Sequence, residues 1–114
     1  LMARIGEWAA NAPDETVNLL ELARIAGVPL RQLQQGFKTY TGMSPAQWLR
    51  LRRLNGARRE LLSSTGTTVA EVAMQWSFWH LGRFSSSYRA LFQELPSDTL
   101  KRAAVVQVAG RGRR

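Results

Sequence analysis

Apolar residues recur along this chain at intervals of three and four, the spacing of one helix face, and no run alternates as a half-buried strand would. Glycine and proline fall between the periodic stretches, which divides the pattern into seven predicted helices. The first covers residues 2–10 and is broken by the Asn11-to-Asp14 stretch with its Pro13. Thr16 caps a second, which turns Leu19, Leu22 and Ala23 inward and ends at Gly27. Pro29 suits the first turn of the third, whose apolar stripe is Leu30, Leu33, Phe37 and Tyr40 and whose end is Gly42. Ser44 before Pro45 then starts a long fourth helix, residues 45–63, with Trp48, Leu51, Leu54, Ala57 (or Arg58) and Leu61 at helical spacing. Gly66 closes it, and Thr67 or Thr68 caps a fifth helix carrying Val69, Val72, Ala73 and Trp76. The sixth runs from about His80 to Phe92 with Leu81, Phe84, Tyr88 and Leu91 inward. Pro96 opens a short last helix through Leu100 and Arg102, and residues 104–114, which end without an apolar face, are predicted to form a disordered basic tail.

The chain also repeats itself. Leu19, Leu22, Ala23 and Gly27 recur fifty residues on as Val69, Val72, Ala73 and Ser77. Leu33, Phe37 and Pro45 recur fifty-one on as Phe84, Tyr88 and Pro96, so the second copy has gained one residue in its turn. Each copy reads as helix, tight turn, helix. Two helices crossing steeply need a small residue at closest approach, which Ala23 and Ala73 supply. The reversal that follows suits Gly27, and Ser77 in its place costs ~1 kcal/mol if left-handed. The predicted fold is therefore all-α, two helix-turn-helix subdomains joined by a long central helix. Its parts are residues 1–43, the linker 44–63, residues 64–103 and the tail 104–114.

The outward faces of the two second helices are unlike. The third helix displays Arg31, Gln34, Gln35 and Lys38 opposite Leu33 and Phe37, with no acid among them. Arginine reads guanine and glutamine reads adenine through paired hydrogen bonds in the major groove, while lysine suits phosphate. A merely solvated face would mix in acids. The sixth helix offers His80, Gly82, Arg83, Ser86 and Arg89, a poorer reader whose glycine still lets backbone approach phosphate closely. Base reading is accordingly assigned to Arg31, Gln34, Gln35, Arg83 and Ser86, and backbone contact to Lys38, Gly82, Arg89 and His80.

Charge points to the same partner. Sixteen basic against eight acidic residues give +8, all of it in residues 50–114, which hold twelve of the basic and four of the acidic side chains. Such a field favours a polyanion. The linker arginines Arg50, Arg52, Arg53, Arg58 and Arg59 spread around their helix, so only a minority are assigned to phosphate. At 114 residues and 45% hydrophobic the chain is globular, with no cysteine and no apolar run near the roughly 18 residues that span a membrane. A cytoplasmic location without membrane contact is the expectation.

Catalysis lacks its ingredients. His80 is the single histidine, no carboxylate lies near it in sequence to orient it beside Ser85 to Ser87, and a lone histidine is not a metal site. Neither enzyme activity nor a cofactor is expected. A non-specific basic nucleic-acid or helical protein-interaction module is the alternative. Against single-strand binding, most of Phe37, Trp48, Phe84, Tyr88 and Phe92 fall on apolar stripes as core, while Trp8, Trp76 and Trp79 are open, Trp79 being a candidate for partial exposure.

The stretches Gly42-Met43-Ser44-Pro45-Ala46-Gln47-Trp48-Leu49, Arg53-Leu54 and Ala57-Arg58-Arg59-Glu60-Leu61-Leu62 resemble the AraC/XylS family of bacterial transcription regulators. So do Val69-Ala70-Glu71-Val72-Ala73, Phe78, Phe84, Tyr88-Arg89, Phe92 and Pro96, and the likeness covers roughly residues 16–102. The resemblance implies seven helices, with the third and sixth entering successive major grooves of double-stranded DNA. It puts base reading on Arg31, Gln34 and Gln35, and on Leu81, Gly82 and Ser86. It also implies RNA polymerase as a partner and a separate sensor or dimerisation domain outside this chain. The second unit departs from the pattern, with Ser77 and Gln93 in place of glycines and Leu81 and Gly82 where polar readers would serve. A 19-residue linker helix is about 28 Å long at ~1.5 Å per residue, and with the width of the flanking units added it can hold two readers one ~34 Å groove repeat apart.

Overall fold

Local capping chemistry sets the elements of the computed structural model, which describes residues 1–12, 15–63 and 66–112, with side chains as far as residue 106. Seven helices and no strand occur among the described residues. They are α1 (Met2–Asn11), α2 (Leu19–Ala26), α3 (Leu30–Thr41), α4 (Pro45–Ser63), α5 (Val69–Gln75), α6 (Leu81–Phe92) and α7 (Pro96–Gly112). The predicted break at Pro13 lies outside the described residues, though α1 does stop just ahead of it at Asn11. Asn18, not Thr16, caps α2: its side chain accepts from the Glu21 N–H at 2.9 Å while Glu21 reaches back to the Asn18 N–H, a reciprocal pair that Thr16 cannot make. Ser44 and Gln47 form the same reciprocal pair ahead of α4, and Thr68 caps α5 by accepting from the Glu71 N–H at 3.1 Å.

The described chain forms two compact units, Leu1–Arg52 and Arg53–Arg114, and the division falls inside α4 rather than in a loop. Unit 1 gathers Ile5 of α1, Leu22, Ala23 and Ala26 of α2, Leu33 and Phe37 of α3, and Leu49 of α4. Unit 2 gathers Leu54, Ala57 and Leu61 of α4, Val72, Ala73 and Trp76 around α5, and Phe84 and Tyr88 of α6. An aromatic series runs through unit 2, with Phe78–Phe84, Phe84–Tyr88 and Tyr88–Phe92 ring centroids 4.8, 5.8 and 4.6 Å apart. Each such side chain contributes roughly 1.5–3 kcal/mol on burial, and these cores fix how the helices of each unit pack.

The repeat extends to single hydrogen bonds. In unit 1 the turn after α2 has Gly27 N–H donating to Arg24 O and Val28 N–H to Ala23 O, both at 3.1 Å. In unit 2 Ser77 N–H donates to Met74 O at 3.0 Å and Phe78 N–H to Ala73 O at 2.8 Å. Gly27 is left-handed at φ 71°, and Ser77 keeps that conformation at φ 65° without being glycine. Gly42 at φ 75° and Gln93 at φ 63° close α3 and α6 in the same way.

Three sequence expectations are corrected. Tyr40 and Leu91 do not face in: they are 73% and 40% exposed. The inward step from Phe37 and Tyr88 is four residues, not three. It brings in Thr41, whose hydroxyl bonds to Phe37 O and accepts from the Met43 N–H, and Phe92, whose ring packs on Tyr88. Leu81 is 47% exposed, because Phe78, where unit 1 has Val28, lays its ring on Phe84 and covers that end of the core. Finally, α7 does not end near Arg102 as a disordered tail but continues to Gly112, and Ala103 is buried. No proline follows Arg102 and no glycine comes before Gly110, so nothing in that stretch stops a helix. The last two arginines lie outside the described residues.

Candidate nucleic-acid interface

Leu33 and Phe37 are fully buried, and burying them fixes which way α3 turns its other side. Arg31, Gln34, Gln35 and Lys38 stand at spacings of three and four along that helix, and all four are exposed. Gln32 is exposed beside them. Sequence reasoning passed it over, although the fifty-one-residue offset pairs it with Arg83. No acid occurs anywhere in α3. The outward face therefore offers two cation types and a row of amide groups that both donate and accept.

On α6, Phe84 and Tyr88 are buried, which turns Gly82, Arg83, Ser86 and Arg89 to the exposed side. His80 is the N-cap residue, exposed, and makes no side-chain capping bond. This helix also lacks acids. Trp79, 72% exposed, stands just ahead of His80 and beyond the matched pair Val28 and Phe78, which makes it the added residue of the second turn. All nine residues assigned from sequence to DNA contact are thus exposed, four on α3 and five at or on α6.

Most linker arginines have other work. The Arg52 guanidinium donates to Ala12 O and lies 4.6 Å from the Trp8 ring centroid. Arg53 donates to Ser77 O at 2.9 Å and stacks 4.8 Å over Phe78, holding the second turn. Arg58 lies 4.8 Å over Phe92 and reaches Tyr88 and Glu94 at 3.4 and 3.5 Å. Arg50 and Arg59 are exposed, the latter 5.9 Å from the Trp76 ring. Cation–π packing of this kind anchors a helix to its own unit.

Glu94 centres the support of the connection between α6 and α7. Arg102 grips both its carboxylate oxygens at 2.8 and 3.0 Å, and the Thr99 hydroxyl, itself 2.7 Å from the Tyr88 hydroxyl, lies 3.0 Å from it. The Arg102 hydrogen bonds hold this carboxyl below the usual carboxylate range, and Glu94 in turn raises the Arg102 guanidinium. This acid sits beyond the end of α6 and is engaged, so it leaves the cations of α6 unopposed. Among the described residues no cluster of His, Cys, Asp or Glu could hold a metal ion, and no helix is long and apolar enough to cross a membrane.

A helix-turn-helix domain family matches residues 22–102, from within α2 into α7. The chain is 36% identical over 99 residues to the XylDLEGF operon transcriptional activator 2 of Pseudomonas putida, covering 85% of this chain and 63% of that protein. It spans 30% and 31% of two longer activators of the same operon. A probable AraC family transcriptional regulator from Rhodopseudomonas palustris CGA009 superposes with a TM-score of 0.77 at 30% identity, over 89% of this chain and 94% of that one. The DNA-binding domain of AdpA, a global transcriptional factor solved in complex with a target DNA, gives 0.68 at 28% identity, over 98% and 94%.

Proposed function

The chain belongs to the AraC/XylS family of transcription regulators, and from that premise we propose that its two helix-turn-helix units bind double-stranded DNA sequence-specifically. The observation that carries this reading is the duplicated unit, in which each second helix buries its apolar side and leaves an acid-free, cation-bearing side exposed. In this reading α3 and α6 enter successive major grooves. Arg31, Gln34 and Gln35 read base edges from α3, with Lys38 on phosphate. Arg83 and Ser86 read from α6, while His80, Gly82 and Arg89 contact the backbone. RNA polymerase is the second partner of the full regulator and the cytoplasm its location. A separate sensor or dimerisation domain outside this chain completes the proposed regulator, and this chain spans 30% and 31% of its longer relatives.

Selection of bound sites from random duplexes, followed by titration of the selected duplex at increasing salt, tests this. A defined sequence should emerge, and log affinity should fall with log salt at a slope corresponding to about 5–8 phosphate contacts. An unenriched pool would replace this reading by a non-specific basic module, and a salt-independent affinity would remove nucleic acid from it altogether.

A further inference from the structure

The N-terminal end of α6 is apolar where that of α3 is not. Trp79, the added residue of the second turn, and Leu81, the first residue of α6, are 72% and 47% exposed. Beside them stand His80 and Arg83, both exposed, with the exposed Arg89 in the last turn of the same helix and no acid anywhere in it. Next to Leu81 lies Gly82, whose presence the fold does not require: it has no positive φ, and a Cβ built there would meet nothing within 4 Å. Gly82 is the second residue of α6, where glycine adds nothing to the packing of this unit that alanine would not and leaves the backbone bare. A glycine on an outward helix face allows close approach of another surface to the backbone. A leucine is short, and such an approach is what brings its methyl groups to a base edge.

Resting on the DNA-binding reading above, we infer that the first turn of α6 reads thymine through its 5-methyl group, with Leu81 and Trp79 as the apolar contacts and Gly82 as the close-approach position. The major groove offers an apolar side chain one complementary feature, the thymine methyl; the remaining base-edge groups are hydrogen-bond donors and acceptors. The cations Arg83 and Arg89 on the same helix favour a polyanion over a protein surface as the occupant. The second unit therefore adds shape and apolar contact to the reading by Arg83 and Ser86, where the first uses amides and a guanidinium alone.

The test uses the full chain and its selected site. The half-site of unit 2 is the one whose base preference survives the combined replacement Arg31→Ala, Gln34→Ala and Gln35→Ala. It should contain thymine, and replacing that thymine by uracil, which lacks only the methyl, should weaken wild-type binding roughly fourfold per methyl. Leu81→Ala should bind the thymine and uracil duplexes alike, with Trp79→Ala narrowing the difference. Gly82→Ala should keep or raise the melting temperature and still weaken binding roughly tenfold, as loss of a close base contact does. A unit 2 half-site without thymine, wild-type indifference to uracil, or a methyl effect undiminished in both Leu81→Ala and Trp79→Ala would each overturn the inference. So would Gly82→Ala binding as tightly as wild type. In all these cases duplex binding itself persists, which separates them from failure of the DNA-binding reading, where wild type binds no selected site.

Discussion

Gly56 stands in the middle of α4, where a Cβ would come within 2.2–2.7 Å of the Trp76 ring. That ring is buried, and its indole N–H donates to Glu60 at 3.2 Å, so it is held from two sides. Gly56→Ala gains about 1 kcal/mol of helix propensity but meets an overpacking cost of about 1–3 kcal/mol. The expected outcome is a lower melting temperature; an unchanged or higher one would show that the indole shifts without cost. The left-handed non-glycine residues of unit 2 make the opposite case. Ser77 at φ 65° and Gln93 at φ 63° each hold a conformation that disfavours a side chain. Ser77→Gly and Gln93→Gly should each stabilise the protein by about 0.5–1 kcal/mol in urea denaturation, once the greater freedom of glycine in the unfolded chain is subtracted. Destabilisation by either would mean that the side chain's own contacts outweigh the backbone strain.

At the scale of elements, Glu94 ties the end of α6 to α7 through Arg102 and Thr99, with Arg58 of α4 alongside. Its depressed carboxyl pKa means that the folded state favours the ionised form. The stabilisation is present above the ordinary carboxylate value near ~4.3 and is lost as pH falls through the lower folded value. Glu94→Gln should therefore melt below wild type at neutral pH, and the gap should close as the pH drops under about 4. A gap that stayed constant through pH 3 would show that the carboxylate charge is not what holds these elements. Helix starts were legible in the sequence where proline or a capping hydroxyl marks them, as at Pro45, Thr68 and Pro96. Thr16 misled because Asn18 has Glu21 three residues on and completes a two-way cap. Tyr40 and Leu91 misled because periodicity allows a step of three or of four, and packing partners decide between them. The exposed stripe on α3 follows from Leu33 and Phe37 alone. The exposure of Leu81 does not, since it depends on the Phe78 ring filling the end of the core.

For the molecule as a whole, α4 is one continuous helix of 19 residues shared by both units. On the reading proposed above, α3 and α6 take successive major grooves of one duplex, so the spacing of their half-sites matters. Five base pairs inserted between the half-sites turn one groove to the opposite side of the duplex. Footprinting on the spaced site should then show protection of one half only, and full protection at undiminished affinity would mean that the units bind independently. The seam itself is a single peptide bond between two arginines with different allegiances: Arg52 packs on Trp8 of unit 1, and Arg53 on Phe78 of unit 2. A protease specific for basic residues finds here two arginines in helical backbone, although it needs an extended stretch to cut. Cleavage at this bond must wait for the helix to open, and opening it strips both cores of a packed cation at once. Recombination that exchanged one unit for a foreign copy would therefore have to splice within a helix and keep its register.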